Sequence, residues 1–472
     1  MAVQKNNPAE RTAIFSVMRE LVTADNTLSY EKRIELLKAL RKGIIARKAA
    51  LITAVNEDFN GRSSHETILT DIIPTIGIID YTIKRLRKWM RPQKKHVAMH
   101  FTPAKNRVEL QPKGIVLIIS PWNYPVSLSI LPMATALAAG NRVILKPSEF
   151  TPHTSEVLAQ LVSDALPSDR ATVLTGGADV SIELCKLPFD HILFTGSTNV
   201  GRAVMRSAAE NLTPVTLELG GKSPTVVHTN YNMFNAAERI ARGKFINAGQ
   251  TCVAPDYAMI PRDKVKEFVS QYEKIIARFY PKLTDNSDYS SIINERHFKR
   301  LTSLLDDAQN KGAAVLAVGP DKLQSSGSRK LHPHVVLDVT DEMDLVKEEI
   351  FGPILPIIPY DSIEQACEYI NQRPRPLAIY YFDKDKSRVA SFLKKTISGG
   401  AAVNDTLMQF AQDDLPFGGI GPSGMGVCHG YEGFKEFSHA KSVFYQSQMN
   451  GGAMLYPPYG KLFDRVTGFL SR

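Results

Sequence analysis

From Gly114 onward, short β-branched runs alternate with amphipathic helical stretches, and this alternation constrains the fold more than any other feature of the chain. Parallel strands cannot be joined by a tight turn; each pair needs a long crossover, and a helix packed on the sheet face supplies it. The pattern places strands over 115–119, 142–146, 171–175, 191–195 and 215–218, with helices over 128–139, 154–166, 180–186 and 200–209 between them. An α/β fold built on a doubly wound parallel sheet is therefore expected. A second α/β unit follows, with strands over 224–228, 257–260 and 354–359 and helices over 236–245 and 265–279; no internal repeat is visible. Ahead of both, the chain up to residue 96 reads as helix. From Ser29, a candidate N-cap, apolar Ile34, Leu37, Leu40, Ile44, Leu51 and Val55 recur at helical spacing, which suits a scaffold rather than a site. Over 97–112 the period changes: Val97, Met99 and Phe101 alternate with other residues, as do Val108 and Leu110 beyond a Pro-containing break, so a β-arm is expected there.

Composition bounds the alternatives. The chain has 472 residues, 43% hydrophobic and 22% charged, which fits two or three packed domains and excludes a disordered chain. No apolar run reaches the roughly 18–20 residues of a spanning helix, and the N-terminal residues lack the apolar stretch of a signal peptide, so a cytoplasmic protein with no integral membrane segment is expected. Cys185, Cys252, Cys367 and Cys428 are too scattered for a disulfide scaffold and show no zinc-type spacing; free thiols and no metal site are expected. The net charge of +9 is concentrated in Lys84, Arg85, Arg87, Lys88, Arg91, Lys94 and Lys95. No aromatic interleaving or nucleic-acid motif accompanies that run, so it reads as a solvated helix face and not as a nucleic-acid surface.

Open α/β sheets bind ligands beyond the carboxyl ends of their strands. The loops there read Ser120-Pro-Trp-Asn-Tyr-Pro125, Lys146-Pro-Ser-Glu149, Thr175-Gly-Gly177, Thr195-Gly-Ser197 and Glu218-Leu-Gly-Gly221. The G-x-G-x-x-G fingerprint is absent, since Gly196 and Gly201 are separated by Ser-Thr-Asn-Val; a bound dinucleotide needs another way to hold its pyrophosphate. Three residues stand out chemically. Cys252, in Asn-Ala-Gly-Gln-Thr-Cys-Val, is either a nucleophile or a small buried hydrophobe. Glu218 closes an apolar strand before a Gly-Gly turn, as a base with room for water or as the salt-bridge partner of Lys222. Asn123 offers an amide N–H to an oxyanion, or is a turn residue before Tyr124-Pro125.

The segments Pro-Trp-Asn-Tyr-Pro, Lys-Pro-Ser-Glu, Phe-Thr-Gly-Ser-Thr, Leu-Glu-Leu-Gly-Gly-Lys, Gly-Gln-Thr-Cys and Glu-Glu-Ile-Phe-Gly-Pro occur in the order of the aldehyde dehydrogenase superfamily. The chain resembles that family from about its first long helix to residue 450. Thr-Cys-Val-Ala-Pro-Asp-Tyr, Pro-Phe-Gly-Gly-Ile-Gly-Pro-Ser-Gly-Met-Gly and Glu-Phe-Ser-His look like the class 3 branch, and the overall texture is similar to coniferyl aldehyde dehydrogenases. The resemblance implies a Rossmann-type nucleotide-binding domain, a second α/β catalytic domain and an oligomerisation arm. It also implies oxidation of an aldehyde to its acid, with Cys252 as nucleophile, Glu218 as general base, and Asn123 with the Cys252 backbone N–H as oxyanion donors. For the cofactor it implies Trp122 and Ser197 near the pyrophosphate, Lys146 and Glu149 at the adenosine ribose, and Glu349 with Phe351 at the nicotinamide ribose. Ser148, Gly177, Phe194 and Gly196 belong to the same expected cofactor set. A carboxylate at position 149 opposes a 2′-phosphate, which favours NAD, while Lys146 leaves NADP open.

Tyr124 stands where many relatives have Phe after the Asn. With Leu407 and Phe410 of the loop Asn404-Asp-Thr-Leu-Met-Gln-Phe410 it is expected to line a substrate entrance. Leu462, Phe463, Val466, Phe469 and Leu470 form one face of a short C-terminal helix, able to cover that mouth or to pack elsewhere. A bulky apolar aldehyde, aromatic or medium-chain, is the expected substrate. The expected division is a nucleotide-binding domain of residues 1–96 and 114–218, a catalytic domain of 219–428, an arm of 97–113 and 440–449 pairing near 442–448, and a tail of 450–472. The arm is expected to join a partner subunit in a homodimer. Competing readings are a CoA-acylating or reductive relative, which has no need of a base for water attack, a Cys-His hydrolase using for example His429, which leaves the nucleotide-type sheet unexplained, and a basic nucleic-acid-binding protein.

Overall fold

Helices α1 (Pro8–Ala24), α2 (Tyr30–Ala46), α3 (Lys48–Phe59), α4 (Ser64–Thr67) and α5 (Ile73–Trp89) lead the chain in a computed structural model that describes residues 7–24, 27–320, 329–449, 452 and 456–471. Ser29 caps α2, its hydroxyl accepting from the Lys32 N–H. Leu37, Leu40 and Ile44 of α2 and Leu51 and Val55 of α3 are fully buried, in one apolar cluster with a face of the first sheet. A π-helical turn, Ile68–Ile72, joins α4 to α5. On α5, Ile78, Ile79, Leu86 and Trp89 turn inward while Lys84, Arg85, Arg87 and Lys88 face solvent, so these four form a solvated helix face, whereas Arg91 lies past the helix end and Lys94 and Lys95 lie in a strand, which the helix reading of the basic run missed.

The arm departs from its sequence reading. Met99–Phe101 is a 3-10 turn and not a strand; the paired strands are β1 (Gln93–Lys95) and β2 (Lys105–Pro112). Pro103 has no N–H to give a ladder, so alternation of apolar residues just before it does not suffice for strand pairing. The third strand, Ser438–Tyr445, runs antiparallel to β2 with Ser438 opposite Pro112 and Tyr445 opposite Lys105, so the pairing segment is 438–445 rather than 442–448. In the tail, Lys461–Leu470 is helical, and Leu462 and Phe469 are exposed. The Leu470 side chain and residues 450, 451, 453–455 and 472 lie outside the described part.

The alternation after Gly114 resolves into β3 (Ile115–Ile119), α6 (Ser127–Ala139), β4 (Arg142–Lys146), α7 (Pro152–Ala165), β5 (Ala171–Val173), α8 (Ala178–Cys185), β6 (His191–Gly196), α9 (Thr198–Ala209) and β7 (Val215–Leu219). The strands are parallel and lie side by side as β5-β4-β3-β6-β7. The chain starts in the middle, runs out through β4 and β5, then returns to the other flank, so the switch in strand order falls between β3 and β6.

The second sheet contains β8 (Pro224–Val227), β9 (Tyr257–Pro261) after helix α10 (Met233–Phe245), β10 (Ala314–Ala317), β11 (His334–Leu337), β12 (Ile354–Tyr360), β13 (Ala378–Phe382) and β14 (Gly400–Val403), in the order β10-β11-β12-β9-β8-β13-β14. Only β10 is antiparallel to its neighbour. Within it, β12-β9-β8-β13-β14 follows the middle-outward-and-back order of the first sheet, a recurrence of topology with no repeated residues to announce it. A late strand, β15 (Gly424–Met425), returns to pair antiparallel with β7, Gly424 opposite Glu218. Only residues 220–223 separate β7 from β8, so the carboxyl ends of the first sheet meet the amino ends of the second.

Candidate active site

At that meeting lies a cavity of about 440 Å³. From the first sheet it takes Trp122 and Asn123 after β3, Gly196 and Ser197 at the end of β6, and Glu218 with Gly220 at the end of β7. From the second it takes residues that precede strands: Cys252 before β9, Glu349 and Phe351 before β12, and Leu377 before β13. Leu128, Leu131, Pro132, Phe410 and Phe417 add apolar lining.

Cys252 is carried into the cavity by a tight reversal after α10. Asn247, Ala248 and Gly249 have φ of 54°, 51° and 77°, and a Cβ at Gly249 would fall 2.4 Å from the Gly352 carbonyl oxygen, so glycine is required there. The fully buried Gln250 locks the turn, donating to the Asn247 and Ser291 carbonyls (2.9 and 3.0 Å) and accepting from the Ile293 N–H (3.0 Å). Asn123 Nδ2 donates to the Gln250 carbonyl at 3.1 Å. A carboxamide has two such hydrogens, so one remains for a ligand in the cavity. Burial, with Glu349 and Glu218 close by, pushes the Cys252 thiol up to about 12, which keeps it protonated in the ligand-free protein.

Glu218 is buried, and neither of its carboxylate oxygens meets a nitrogen or oxygen partner. Burial pushes its carboxyl well above the usual range, Glu436 adding to the rise and the Cys428 thiol opposing it. Raising the pKa makes the ionised form of this carboxyl a stronger base, and with both oxygens unbonded that form can take a proton from water. The alternative role as partner of Lys222 does not apply, because that ammonium pairs with Asp256 and donates to the Leu345 and Glu348 carbonyls at 2.7 and 2.8 Å. Glu349 lies over the Gly-Gly turn: a Cβ at Gly220 would fall 2.1 Å from its Oε2. Burial and Asp256 lift its carboxyl to about 8 against the pull of the Gly221 N–H, Lys222 and Arg300.

The loops beyond β3 and β6 carry features suited to an anionic, ring-bearing ligand. Ser197 caps α9, its hydroxyl accepting from the Val200 N–H at 3.5 Å, and the N-terminus of this long helix borders the cavity, where bare N–H groups and the helix dipole favour an anionic group. Gly196 leaves room that a side chain would fill, since its Cβ would fall 2.5 Å from the Phe194 ring. The Trp122 ring stands 5.4 Å from Phe351 and 5.0 Å from His297. Lys146, Ser148, Glu149 and Gly177 lie along the same carboxyl edge outside the cavity; Lys146 Nζ donates to Glu149 Oε2 at 3.0 Å, leaving the other carboxylate oxygen for a ribose hydroxyl.

Of the residues expected at the substrate, Phe410 lines the cavity. Tyr124 is buried behind Asn123 with its hydroxyl bonded to Thr251, and Leu407, with φ 66°, packs against the core of the second sheet. Several wall residues have no sequence motif to announce them: Arg296, His297 and Arg300 on one helix, Cys428 and His429. His429 does not pair with Cys252; its ring packs 5.0 Å from Phe410 and 5.3 Å from Phe417, and burial holds its imidazole down to about 4. Three charged residues of the helical segment, the buried Arg62 and Asp71 and the half-buried Glu66, are likewise not legible as site residues from sequence. Arg62 donates to the Asn123 carbonyl at 2.7 Å, and Glu66 accepts from the Asn247 N–H at 3.2 Å.

The profile of the aldehyde dehydrogenase family matches residues 1–443. A probable coniferyl aldehyde dehydrogenase from Pseudomonas aeruginosa is 51% identical over 454 residues, covering 96% of this chain and 94% of that protein. The coniferyl aldehyde dehydrogenase of Pseudomonas sp. strain HR199 is 44% identical over 444 residues, covering 93% and 91%. A structure of Staphylococcus aureus AldH in a substrate-bound state superposes with a TM-score of 0.91 at 37% identity over 98% of this chain and 99% of that one. The chain belongs to the aldehyde dehydrogenase family and is an NAD(P)-dependent enzyme that oxidises aldehydes.

Proposed function

We propose that this enzyme oxidises an apolar aldehyde, aromatic or medium-chain, through a thiohemiacetal and then a thioester on Cys252. The observation that carries this reading is the convergence of Cys252, Asn123 and Glu218 on one cavity that Leu128, Leu131, Phe410 and Phe417 also line. The Cys252 thiol gives its proton to solvent water as its sulfur adds to the carbonyl carbon, and the charge that develops on oxygen is met by the free Asn123 amide hydrogen and the Cys252 N–H. Trp122, Ser197, Lys146, Glu149, Glu349 and Phe351 would hold NAD(P)⁺, with Ser148, Gly177, Phe194 and Gly196 shaping its groove, and the bound nicotinamide would supply the hydride acceptor. Glu218 then takes a proton from the water that attacks the thioester, releasing the acid and returning the thiol. A base for water at this position favours the hydrolytic outcome over acyl transfer to CoA.

The relatives' names support an aromatic substrate, and the Glu149 carboxylate favours NAD over NADP. The first sheet with the helices that precede it, up to Trp89, forms the nucleotide-binding domain, the second the catalytic domain. The strands 93–95, 105–112 and 438–445 form the arm of a cytoplasmic homodimer. The test is kcat/KM for acetaldehyde, hexanal, benzaldehyde and coniferaldehyde with each cofactor. Burying an added ring stabilises by roughly 1.5–3 kcal/mol, so coniferaldehyde and benzaldehyde should exceed acetaldehyde by about one to two orders of magnitude. Equal or better efficiency with acetaldehyde overturns the apolar-substrate reading.

A further inference from the structure

The helical segment that precedes the first sheet places a buried ion pair beneath the loop that carries Asn123. The Arg62 and Asp71 side chains are fully buried, 3.3 Å apart. Their bonds go to the two ends of one short stretch: Arg62 Nη1 donates to the Asn123 carbonyl at 2.7 Å, and Asp71 Oδ1 accepts from the Ser127 N–H at 2.8 Å. The guanidinium also stands 4.9 Å from the ring centre of Tyr124 and 5.0 Å from that of Phe59, and its Nη2 donates to Thr70 Oγ1 at 3.1 Å. The Asn123 carbonyl receives a second bond, from Asn247 Nδ2 at 2.9 Å. Both lone pairs of that oxygen are thus engaged, one from each half of the site. The same helical segment reaches the cysteine side, where Glu66 accepts from the Asn247 N–H and from Ser290.

For stability alone this arrangement is a poor choice, since a buried ion pair is commonly matched or bettered by apolar side chains of the same volume. Asp71 also sits in the π-helical turn Ile68–Ile72, a local departure from α-helical geometry of the kind concentrated at functional sites. We propose that Arg62, held by Asp71, is a positioning residue: it fixes the Asn123 backbone so that the free amide hydrogen points at the oxygen on which charge develops. Arg62 does not touch substrate. Its effect passes through Asn123, and the proposal rests on Asn123 being the oxyanion donor.

The test is a double-mutant cycle on the full-length enzyme with Arg62→Met, Asn123→Ala and the combination. Benzaldehyde oxidation with NAD is one readout, and hydrolysis of 4-nitrophenyl acetate without cofactor is the other; melting temperature and NAD affinity are followed in parallel. Removing an oxyanion donor typically costs about 10²–10³ in rate, so Asn123→Ala should fall in that range and Arg62→Met should lose roughly tenfold to a hundredfold in kcat on both substrates. NAD affinity should stay within about twofold. The double variant should be no slower than Asn123→Ala by more than about threefold, because Arg62 acts only through Asn123. Multiplying losses, or Arg62→Met activity equal to wild type per folded molecule, overturns the proposal. Should Arg62→Met fail to accumulate, Asp71→Asn, which preserves volume, takes its place in the cycle, and the same two outcomes overturn the proposal. Full activity of Asn123→Ala alone would instead remove the oxyanion reading itself, and the ester arm keeps both separate from any failure to turn over the aldehyde.

Discussion

The two sheets share one strand order but are used from opposite ends. The first offers its carboxyl ends, where strands lead into helix N-termini and present backbone N–H groups, as at Ser197 and α9. The second offers its amino ends, where arriving loops place single side chains: Cys252, Glu349, Phe351 and Leu377. An anionic, extended cofactor needs many weak backbone contacts, whereas bond making needs a few side chains at fixed points. One topology serves both when two copies face each other head to tail.

The division predicts that chemistry and cofactor binding can be damaged separately. The largest effect should come from Cys252→Ala, which removes the nucleophile and should lower kcat by roughly 10³–10⁶, with NAD affinity by fluorescence titration changed less than about twofold. A parallel loss of NAD binding would break the comparison. Next, Glu218→Gln should lower steady-state turnover about 10²–10⁴-fold while rapid mixing still shows a burst of NADH, because hydride transfer precedes the step that needs the base.

Glu218 also predicts a pH signature in stability. Its folded-state pKa is raised, so the folded protein binds more protons than the unfolded chain once the pH exceeds the unfolded value, and stability falls as pH rises through that window. Glu218→Gln should therefore melt a few degrees above wild type at pH 8, the gap closing toward pH 5. A gap of the same size at both pH values would mean that the substitution acts through packing.

On the cofactor side the effects should be smaller. Gly196→Ala drives a Cβ against the Phe194 ring, and overpacking of that kind costs about 1–3 kcal/mol, so NAD affinity should weaken by roughly tenfold with kcat nearly unchanged. The smallest effect belongs at the unused carboxyl ends of the second sheet. There Arg262 and Asp361 form an exposed pair on the rim of a cleft of about 520 Å³ that also includes His228 and Tyr360. Arg262→Ala should leave the melting temperature almost unmoved and kcat/KM unchanged; a catalytic loss there would sharpen the comparison by showing that the two ends communicate.

How much of the molecule is legible in its sequence depends on whether the signal is local. The strands 115–119 and 142–146 are legible to the residue because β-branched runs bounded by turn residues carry their own period. The trio Cys252, Glu218 and Asn123 is legible because each sits in a distinctive short segment. The strands β10, β11, β13 and β14 escape such a reading, as does the helix Glu295–Asn310 that brings Arg296, His297 and Arg300 to the cavity. Their identity depends on partners far along the chain. Arg62 and Asp71 show the same limit: on an amphipathic reading they are two polar residues beside a helical run, and only tertiary packing makes them a buried pair under Asn123. Tyr124 departs in the other direction, its ring turning away from the cavity to bond Thr251.

The placement of the four thiols gives the protein a gauge of its own. Cys185 and Cys367 are sealed in separate cores, while Cys252 and Cys428, the two that solvent reaches, line the same cavity. A small alkylating reagent applied to the native enzyme is therefore confined to one chamber, and the extent of labelling reports the fraction of molecules in which that chamber stands open. Any occupant of that chamber, whether a nucleotide, an aldehyde or an inhibitor of unknown pose, announces itself as labels withheld, with no need for a chromophore or for turnover.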